Sequence, residues 1–371
     1  MTTVLLCATD AGGASNLASL REVFDRERVS AVLVTSSRCR HFFDPLECYR
    51  RVIVDPQEDE LAALVDDTRP AVVLCGTTRY ESPDRWAVRL ARARAIPSLA
   101  IVDERYAYHS RFAGPGDDLV DLPDAIALVD EQAVEEAVAE GLPRDRCHVT
   151  GSPALSRLTT TAEAFARTPP GRPPYLLDLS TRPVVTFLSE TFASDYGERA
   201  DQPGPLGPFV GYTETSVCRD LREALDSQQT PVTLVEKLHP ASDEGPASVG
   251  SLASERCHHV RVKNVSLWDL LWHSSLVVGM RSMALLEAHL LGVPAVSYQP
   301  GLIGTDRCSA VRLGLIPRLS TCQQLASWIQ RSLYSTSVGR HVPLARYRFA
   351  AIDAADRVLS LALRSVAVGR A

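Results

Sequence analysis

The stretch 265–300, VSLWDLLWHSSLVVGMRSMALLEAHLLGVPAVSYQP, restricts the possible folds more than any other part of the sequence. Its apolar and β-branched residues predict a buried strand, and Gly292 with Pro294 ends the helix that follows. The predicted order is helix 268–273, strand 276–278, turn 279–282, helix 283–291 and strand 295–298. A strand, a turn, a helix and a strand in this order predict a βαβ unit of a parallel sheet.

The turn and the helix start of this unit are candidates for ligand binding, because parallel sheets bind ligands beyond the carboxyl ends of their strands. Gly279 lets the backbone approach a ligand, and the N–H groups around Arg281, Ser282 and Met283 can bind a phosphate. Glu287 lies in an otherwise apolar helix, where an unpaired carboxylate is costly and a ribose diol could donate to it. A Glu287 on a solvent-facing stripe is the alternative.

The same alternation of short strands and helices runs through the whole chain and predicts an α/β fold. A first series has strands at 3–9, 30–35, 51–54, 71–75, 98–102 and 125–129, with helices at 58–67, 85–94 and 131–140. A second series has strands at 184–188, 232–235 and 260–263 before the βαβ unit. We therefore expect two Rossmann-like parallel-sheet domains facing each other across a cleft.

The Pro- and Gly-rich segment 168–174 is interpreted as the linker between the domains. The predicted division is an acceptor-side domain at 1–167, a nucleotide-binding domain at 168–345, and a C-terminal helix at 346–371 that could pack back on the first domain. Residues 192–211 are predicted to form a long loop, Thr213 to cap a helix at 213–227, and 323–333 and 344–368 to be helical.

Charge and cysteine usage exclude several classes of protein. The net charge is −6, so we expect no nucleic-acid partner. The nine cysteines are odd in number and form no CxxC pair, which favours reduced thiols in a cytoplasmic protein. The one Cys/His cluster, Cys257-His258-His259, is interpreted as a loop or strand edge rather than a zinc site, because structural zinc needs four ligands. No signal peptide or membrane-spanning segment is recognised, and an oligomer stays open.

Polar residues follow the strands of the second domain where a nucleotide diphosphate would bind. Lys237 and His239 follow one strand, and a compact ammonium suits a phosphate. Ser189, Glu190 and Thr191 follow another strand. Because carboxyl ends of parallel strands meet at one edge, we expect these groups to converge with Gly279, Ser282 and Glu287. The alternative for Lys237 is an ordinary surface lysine.

The first domain offers candidates for a general base and for a close approach to substrate. Gly12 and Gly13 follow the first strand and could clear space for a substrate, although a plain tight turn is equally consistent. Asp10, Asp103, Glu104 and His109 are the candidate bases, since proton abstraction needs a carboxylate or an imidazole within hydrogen-bond reach. Alternatively, Asp10 caps its helix and His109 is solvated. The sequence has no GxSxG elbow and no GxxxxGK[ST] loop, which excludes an α/β-hydrolase and a P-loop enzyme.

Four segments, DAGGASNL, VTGSPAL, KLHP and GMRSMALLEAHLLGVPAVS, resemble the GT-B superfamily of glycosyltransferases. The nearest branch is the one that includes UDP-N-acetylglucosamine 2-epimerase and lipid-A-disaccharide synthase. The resemblance implies a nucleotide on the second domain, with Ser282 by the phosphates and Glu287 at the ribose. It also implies that no bound metal is needed. The sequence differs from the epimerases in having DAGG and GMRS in place of a GTRPE-like loop and an SGG-type turn.

The leading hypothesis from the sequence is a metal-independent transferase that moves a sugar from a nucleotide-activated, UDP-linked donor. Its acceptor would be a small molecule, a natural product or a polysaccharide. Two alternatives are an isomerase of the UDP-sugar 2-epimerase type and a catalytically inactive protein that binds a nucleotide sugar.

Overall fold

A computed structural model describes residues 2–179, 182–242, 256–334 and 347–368 of the chain. The chain divides into two compact units, Met1–Thr160 with Ala345–Ala371, and Thr161–Leu344. The division falls inside the helix Pro153–Arg167, whereas the sequence placed it at 167/168. Across the described ranges, we find no helix with the length and apolar character that crossing a membrane requires.

The first unit is built on a seven-stranded parallel sheet. Its strands lie in the order β3-β2-β1-β4-β5-β6-β7. They are β1 (Thr3–Ala8), β2 (Ser30–Thr35), β3 (Arg51–Val54), β4 (Val72–Cys75), β5 (Ser98–Ile101), β6 (Ala125–Leu128) and β7 (Cys147–Val149). The helices of this unit are α1 (Ala11–Ala18), α2 (Arg21–Glu27), α3 (Glu58–Thr68), α4 (Pro83–Ala93), α5 (Glu131–Ala139) and the first half of α6 (Pro153–Arg167), together with the C-terminal helix Ala354–Val368.

Both faces of this sheet are buried, as its near-continuous apolar strands require. Along β1, Leu6 contributes to the core on one face, where Leu17 of α1 and Val358 of the C-terminal helix pack. Leu5 contributes to the core on the other face, with Leu61 of α3. The first unit therefore completes its core only with the end of the chain.

The second unit has a six-stranded parallel sheet in the order β10-β9-β8-β11-β12-β13. Its strands are β8 (Val184–Leu188), β9 (Val232–Lys237), β10 (Cys257–Val262), β11 (Leu276–Gly279), β12 (Ala295–Tyr298) and β13 (Arg318–Leu319). Its helices are α7 (Phe192–Tyr196), α8 (Glu214–Asp226), α9 (Leu267–His273), α10 (Ala284–Leu290), α11 (Ser309–Arg312) and α12 (Cys322–Tyr334), so the C-terminal helix becomes α13.

The structure confirms the predicted fold class, because both units are α/β with parallel sheets. The βαβ unit at 276–298 is present as β11, α10 and β12, and Thr213 caps α8 by accepting a hydrogen bond from the Ser216 amide at 3.2 Å. Residues 344–346 of the predicted helix at 344–368 lie outside the described residues, and α13 begins only at Ala354.

Three expectations differ from the structure. The predicted loop 192–211 contains α7, where Phe192 and Tyr196 are buried in the core. The strand predicted to begin at residue 260 is β10, which begins three residues earlier, so Cys257, His258 and His259 lie in an edge strand, one of the two alternatives given for them. The short β13 and α11 had no counterpart in the prediction, because two- and four-residue elements carry too little periodicity to recognise.

Candidate functional site

Lys237 and Glu287 lie at the carboxyl edge of the second sheet, where the sequence placed a nucleotide. Lys237 is the last residue of β9, and its ammonium donates to the Leu238 carbonyl at 3.1 Å. Glu287 of α10 accepts a hydrogen bond from the indole N–H of Trp268 at 2.6 Å. The Glu287 side chain is half-buried and bonded within its unit, so it does not lie on a solvated stripe.

Burial shifts the pKa of both groups toward neutrality. It lowers the pKa of Lys237 to about 8, against the opposing attraction of Glu287. It raises the pKa of Glu287 to about 7, although the Trp268 hydrogen bond and the Lys237 charge both favour the carboxylate. The edge therefore carries one acid and one base that influence each other's charge, and a polar ligand can change the charge of either group.

Glu190 is bonded to the turn that the sequence assigned to a phosphate. Its carboxylate accepts hydrogen bonds from the amides of Arg281 at 2.9 Å and Ser282 at 3.2 Å. A phosphate can use these two amides only when Glu190 moves away. The phosphate-binding role of Ser282 therefore stays a prediction, and it requires that Glu190 leave these amides.

The Arg281 side chain is held inside the second unit. Its guanidinium lies 4.4 Å from the ring centre of Phe192 and 4.6 Å from that of Tyr196. It also donates to the Tyr196 hydroxyl at 2.7 Å, and Arg281 is 9% exposed. Arg281 therefore braces the turn before α10 against α7, and phosphate binding by its side chain would require it to leave these rings.

The other residues predicted at this edge have local partners. A Cβ on Gly279 would lie 3.3 Å from Leu188 and Leu285, so packing alone favours glycine there. The Ser189 amide donates to the Lys237 carbonyl at 3.0 Å, and the Thr191 hydroxyl donates to Asp195 of α7 at 2.9 Å. The His239 ring nitrogen Nδ1 accepts from the Ala241 amide at 3.2 Å. Met283 is the N-cap residue of α10 and is half-buried.

In the first unit, the DAGG turn lies against the ends of neighbouring strands. Asp10 caps α1 by accepting from the Gly12 amide at 3.1 Å, which was one of the two alternatives for this residue. A Cβ on Gly12 would lie 1.8 Å from the Asp103 carboxylate, and one on Gly13 would lie 2.9 Å from the Gly76 backbone. The two glycines therefore permit a close approach of the turn to the residues after β4 and β5.

Asp103 and Glu104 share one buried cation. Arg111 donates to Asp103 at 3.1 Å, to Glu104 at 3.3 Å and to the Thr77 hydroxyl at 2.8 Å. Burial raises the pKa of Asp103, and the neighbouring charges of Glu104 and Asp10 add to this, while Arg111 opposes it. The structure therefore brings three of the four predicted bases, Asp10, Asp103 and Glu104, to one edge of the first sheet.

Asp84 is a further acid at this edge that sequence reasoning missed. It lies in the first turn of α4, is 2% exposed, and accepts hydrogen bonds from the amide and hydroxyl of Thr9. Burial raises its pKa to about 7, helped by the charge of Asp10. Acidic residues are common in first helical turns because they interact favourably with the helix dipole, so no local pattern indicates that this one is buried.

His109 lies elsewhere in the first unit. Its ring nitrogen Nε2 is 2.9 Å from the Asp117 carbonyl, and its amide donates to Glu140 at 3.1 Å. A Cβ on Gly141 would also lie 3.4 Å from the His109 ring. Glu140 and Gly141 follow the C-terminal end of α5, and because α5 begins after the carboxyl end of β6, its C-terminal end points away from that edge. His109 is therefore not brought together with Asp10 and Asp103.

Comparison with known proteins gives structural neighbours only. No protein-family model matches the sequence, and the search of curated proteins finds no significant match. The structure is similar to UDP-GlcNAc 2-epimerase from Neisseria meningitidis bound to UDP-GlcNAc, with a TM-score of 0.68, 15% identity, and coverage of 98% of this chain and 100% of that one.

Two further solved structures are similar over nearly the whole chain. UDP-GlcNAc 2-epimerase from Methanocaldococcus jannaschii in complex with UDP-GlcNAc and UDP has a TM-score of 0.66 and 11% identity, over 98% of this chain and 100% of that one. The glycotransferase of kitacinnamycin has a TM-score of 0.57 and 14% identity, over 98% of this chain and 99% of that one. At such identities the likeness establishes the fold. The two parallel-sheet units of this chain thus form the GT-B fold, which it shares with UDP-N-acetylglucosamine 2-epimerases and with a glycosyltransferase of that fold.

Proposed function

We propose that this protein is an enzyme that binds a UDP-linked sugar, with the nucleotide at the carboxyl edge of the second sheet. The observation that carries this proposal is the group formed by Lys237, Glu287 and Trp268. A half-buried carboxylate suits a ribose diol, and a nearby ammonium suits a phosphate. Similar structures with bound UDP-GlcNAc or UDP support the same class of ligand.

Glu190 gives this binding step a defined structural change. Its carboxylate now accepts the two amides that a phosphate would need. We propose that the β-phosphate replaces Glu190 at these amides, while Lys237 and His239 balance the added charge. Replacing one anion by another preserves the hydrogen bonds of the turn, so the exchange costs little backbone rearrangement.

We place isomerisation of the 2-epimerase type ahead of sugar transfer, which reverses the order that the sequence favoured. The similar structures are mostly of UDP-N-acetylglucosamine 2-epimerases. A base and an acid with pKa values near neutral suit removal and return of a proton. Asp103 and Asp84 supply such groups, with Glu104 and Asp10 as neighbouring charges, and we assign proton transfer to Asp103 first.

Sugar transfer is the second candidate, supported by the similarity to the glycotransferase of kitacinnamycin over 98% of this chain. In that case the same first-sheet acids would deprotonate an acceptor hydroxyl, and the acceptor would be a small molecule or a glycan. We retain the cytoplasm as the proposed compartment, because all nine cysteines are free thiols.

One experiment separates these functions. The purified protein is incubated with UDP-GlcNAc, and the products are followed by NMR, first without an acceptor and then with candidate acceptors. Epimerised sugar without an acceptor supports the isomerase, and UDP release only with an acceptor supports the transferase. Binding without either product would favour the inactive binding protein. A preceding calorimetric screen of UDP, CDP, GDP and TDP tests the base, and equal affinity for all four would refute the UDP assignment.

Variants then connect the activity to the site. Glu287→Gln and Lys237→Ala are expected to weaken UDP binding, whereas Glu223→Gln, an exposed carboxylate on α8, serves as the matched control. Unchanged UDP affinity in both edge variants would place the nucleotide elsewhere.

A further inference from the structure

A group of metal-binding side chains lies inside the second unit, apart from the residues of the proposed nucleotide site. Within the described part of the chain, Cys218, Glu236 and His259 are buried and offer donor atoms that all lie within 4.8 Å of one another. They come from α8, β9 and β10, and successive members of the group are 18 and 23 residues apart in sequence. No local motif could therefore reveal the group.

The strand register explains why these residues meet. In the parallel pair of β9 and β10, Arg261 is opposite Glu236, and His259 is opposite Leu234. Leu234 and Glu236 share a face, since side chains alternate along a strand. Leu234 packs in one core cluster with Val217 of α8, so this face is covered by the helix that carries Cys218.

The buried ring nitrogen Nε2 of His259 makes no hydrogen bond. The His259 side chain is 4% exposed, and its Nε2 atom has no hydrogen-bond partner among the described residues. The Glu236 carboxylate is 2.9 Å away, but the direction of approach does not make a hydrogen bond. A buried ring nitrogen that faces a carboxylate without a well-formed hydrogen bond is costly, whereas a metal ion could bind the lone pair of this nitrogen and the carboxylate together.

We propose that Cys218 Sγ, His259 Nε2 and the Glu236 carboxylate bind a transition-metal dication, Zn²⁺ in the first instance, with water in a fourth position. Thiolate, imidazole and carboxylate together form a donor set that zinc accepts. Two ligands about 2.1 Å from zinc at the tetrahedral angle lie about 3.4 Å apart, which compares with 2.9 Å between His259 Nε2 and the Glu236 carboxylate and with the 4.8 Å within which all three donor atoms lie. On binding, the Cys218 thiol loses its proton to solvent.

Arg261 is the competitor of the metal. Its guanidinium Nε donates to Glu236 at 2.7 Å and balances the carboxylate in the metal-free protein. A dication and a guanidinium repel each other, so metal binding must displace Arg261 from Glu236 or share the carboxylate with it. This competition separates two cases. If the group is a metal site, removal of the Arg261 guanidinium should tighten metal binding. If it is only a buried ion cluster, removal of Arg261 should not produce metal binding.

The test uses the full-length protein, stripped with a chelator and titrated with Co²⁺ and then with Zn²⁺. We expect about one equivalent of Co²⁺ to give a tetrahedral d–d spectrum with a thiolate-to-cobalt absorption band, and Zn²⁺ to displace it. Cys218→Ser is expected to abolish the band, and His259→Asn to weaken Co²⁺ affinity by more than about 100-fold. Arg261→Gln is expected to tighten it, and Cys48→Ser, which removes an exposed thiol, is expected to match the wild type.

Circular dichroism checks that each variant is folded. If a ligand variant does not fold, the Co²⁺ affinity of Arg261→Gln tests the proposal instead. The proposal is overturned if the wild-type protein gives no thiolate band, if Cys218→Ser keeps it, or if folded Arg261→Gln binds Co²⁺ no more tightly than the wild type.

Discussion

The two units present the same structural feature, the carboxyl edge of a parallel sheet, with opposite electrostatics. At the edge of the first sheet, the charge of Asp10 repels those of Asp84 and Asp103, and Arg111 is the cation that donates to Asp103. At the edge of the second sheet, Lys237 and Glu287 attract each other. The fold places polar groups at both edges. The charge of the neighbouring side chains decides whether an edge is suited to proton transfer or to binding a charged ligand.

Burial shifts pKa values at both edges, with different consequences in the two units. In the first unit burial adds to the repulsion from neighbouring carboxylates, and both effects raise the pKa of Asp84 and of Asp103. In the second unit it works against the attraction between an acid and a base. We therefore expect substitutions in the first unit to affect the reaction rate and substitutions in the second to affect nucleotide affinity.

The largest expected effect comes from Asp103→Asn. Asparagine keeps the shape of the side chain but cannot take up a proton, so we expect kcat to fall by about 10²- to 10⁴-fold with little change in UDP affinity. Rates with UDP-GlcNAc and calorimetry with UDP measure the two quantities. Asp145→Asn, at an exposed carboxylate, is the control. A loss of UDP affinity with an unchanged kcat would reverse the roles assigned to the two edges.

Glu287→Ala tests the second edge. It removes the acceptor of the Trp268 indole and the proposed ribose contact, so we expect UDP to bind about 10- to 100-fold more weakly, which is about 1.5–3 kcal/mol. Titration calorimetry with UDP measures this change. Trp268→Phe removes only the indole donor and is expected to have a smaller effect. An effect of Glu287→Ala on kcat alone would contradict a binding role.

Gly13→Ala tests the close approach of the DAGG turn to the backbone that follows β4. A Cβ at this position would lie 2.9 Å from the Gly76 Cα, which is backbone and cannot move independently. We expect the free energy of unfolding to fall by about 1–3 kcal/mol, as for overpacked cores. Urea denaturation measures it, with Gly171→Ala as the control, because a Cβ on Gly171 would meet nothing within 4 Å. Equal stability of the two variants would show that DAGG is not tightly packed.

The smallest effect, when it is measured per pH unit, is the pH dependence that Asp84 contributes to stability. Its pKa of about 7 in the folded protein lies above the value of 3.8 for a free side chain, so the folded protein keeps a proton that the unfolded chain loses between these values. This contribution is complete below the unfolded pKa and is lost as pH rises through about 7. Relative to Asp84→Asn, wild-type stability should fall by at most about 1.4 kcal/mol per pH unit over that window.

Denaturation of both proteins at about pH 5, 6 and 7 measures this difference. A gap between wild type and variant that stays constant across these pH values would mean that Asp84 is already ionised throughout.

Much of the fold could be predicted because its signals are local. The buried strands, the Gly-Pro stop after α10 and the Thr213 cap depend on residues within a few positions of one another. The edges could be predicted as well, since a parallel sheet gathers the carboxyl ends of its strands at one side. For this reason Lys237, Glu287, Asp103 and Glu104 were found from the sequence as candidates for the site.

The sequence by itself determined the order of the elements and which polar residues reach the sheet edges, because chain periodicity and strand direction suffice for both. Only the tertiary structure decided the partners of those residues: Glu190 on the Arg281 and Ser282 amides, Arg281 between two rings of α7, Asp84 in the core, and His259 beside Cys218. These contacts join segments that are far apart in the chain. Their charges and burial therefore depend on packing that no local pattern encodes.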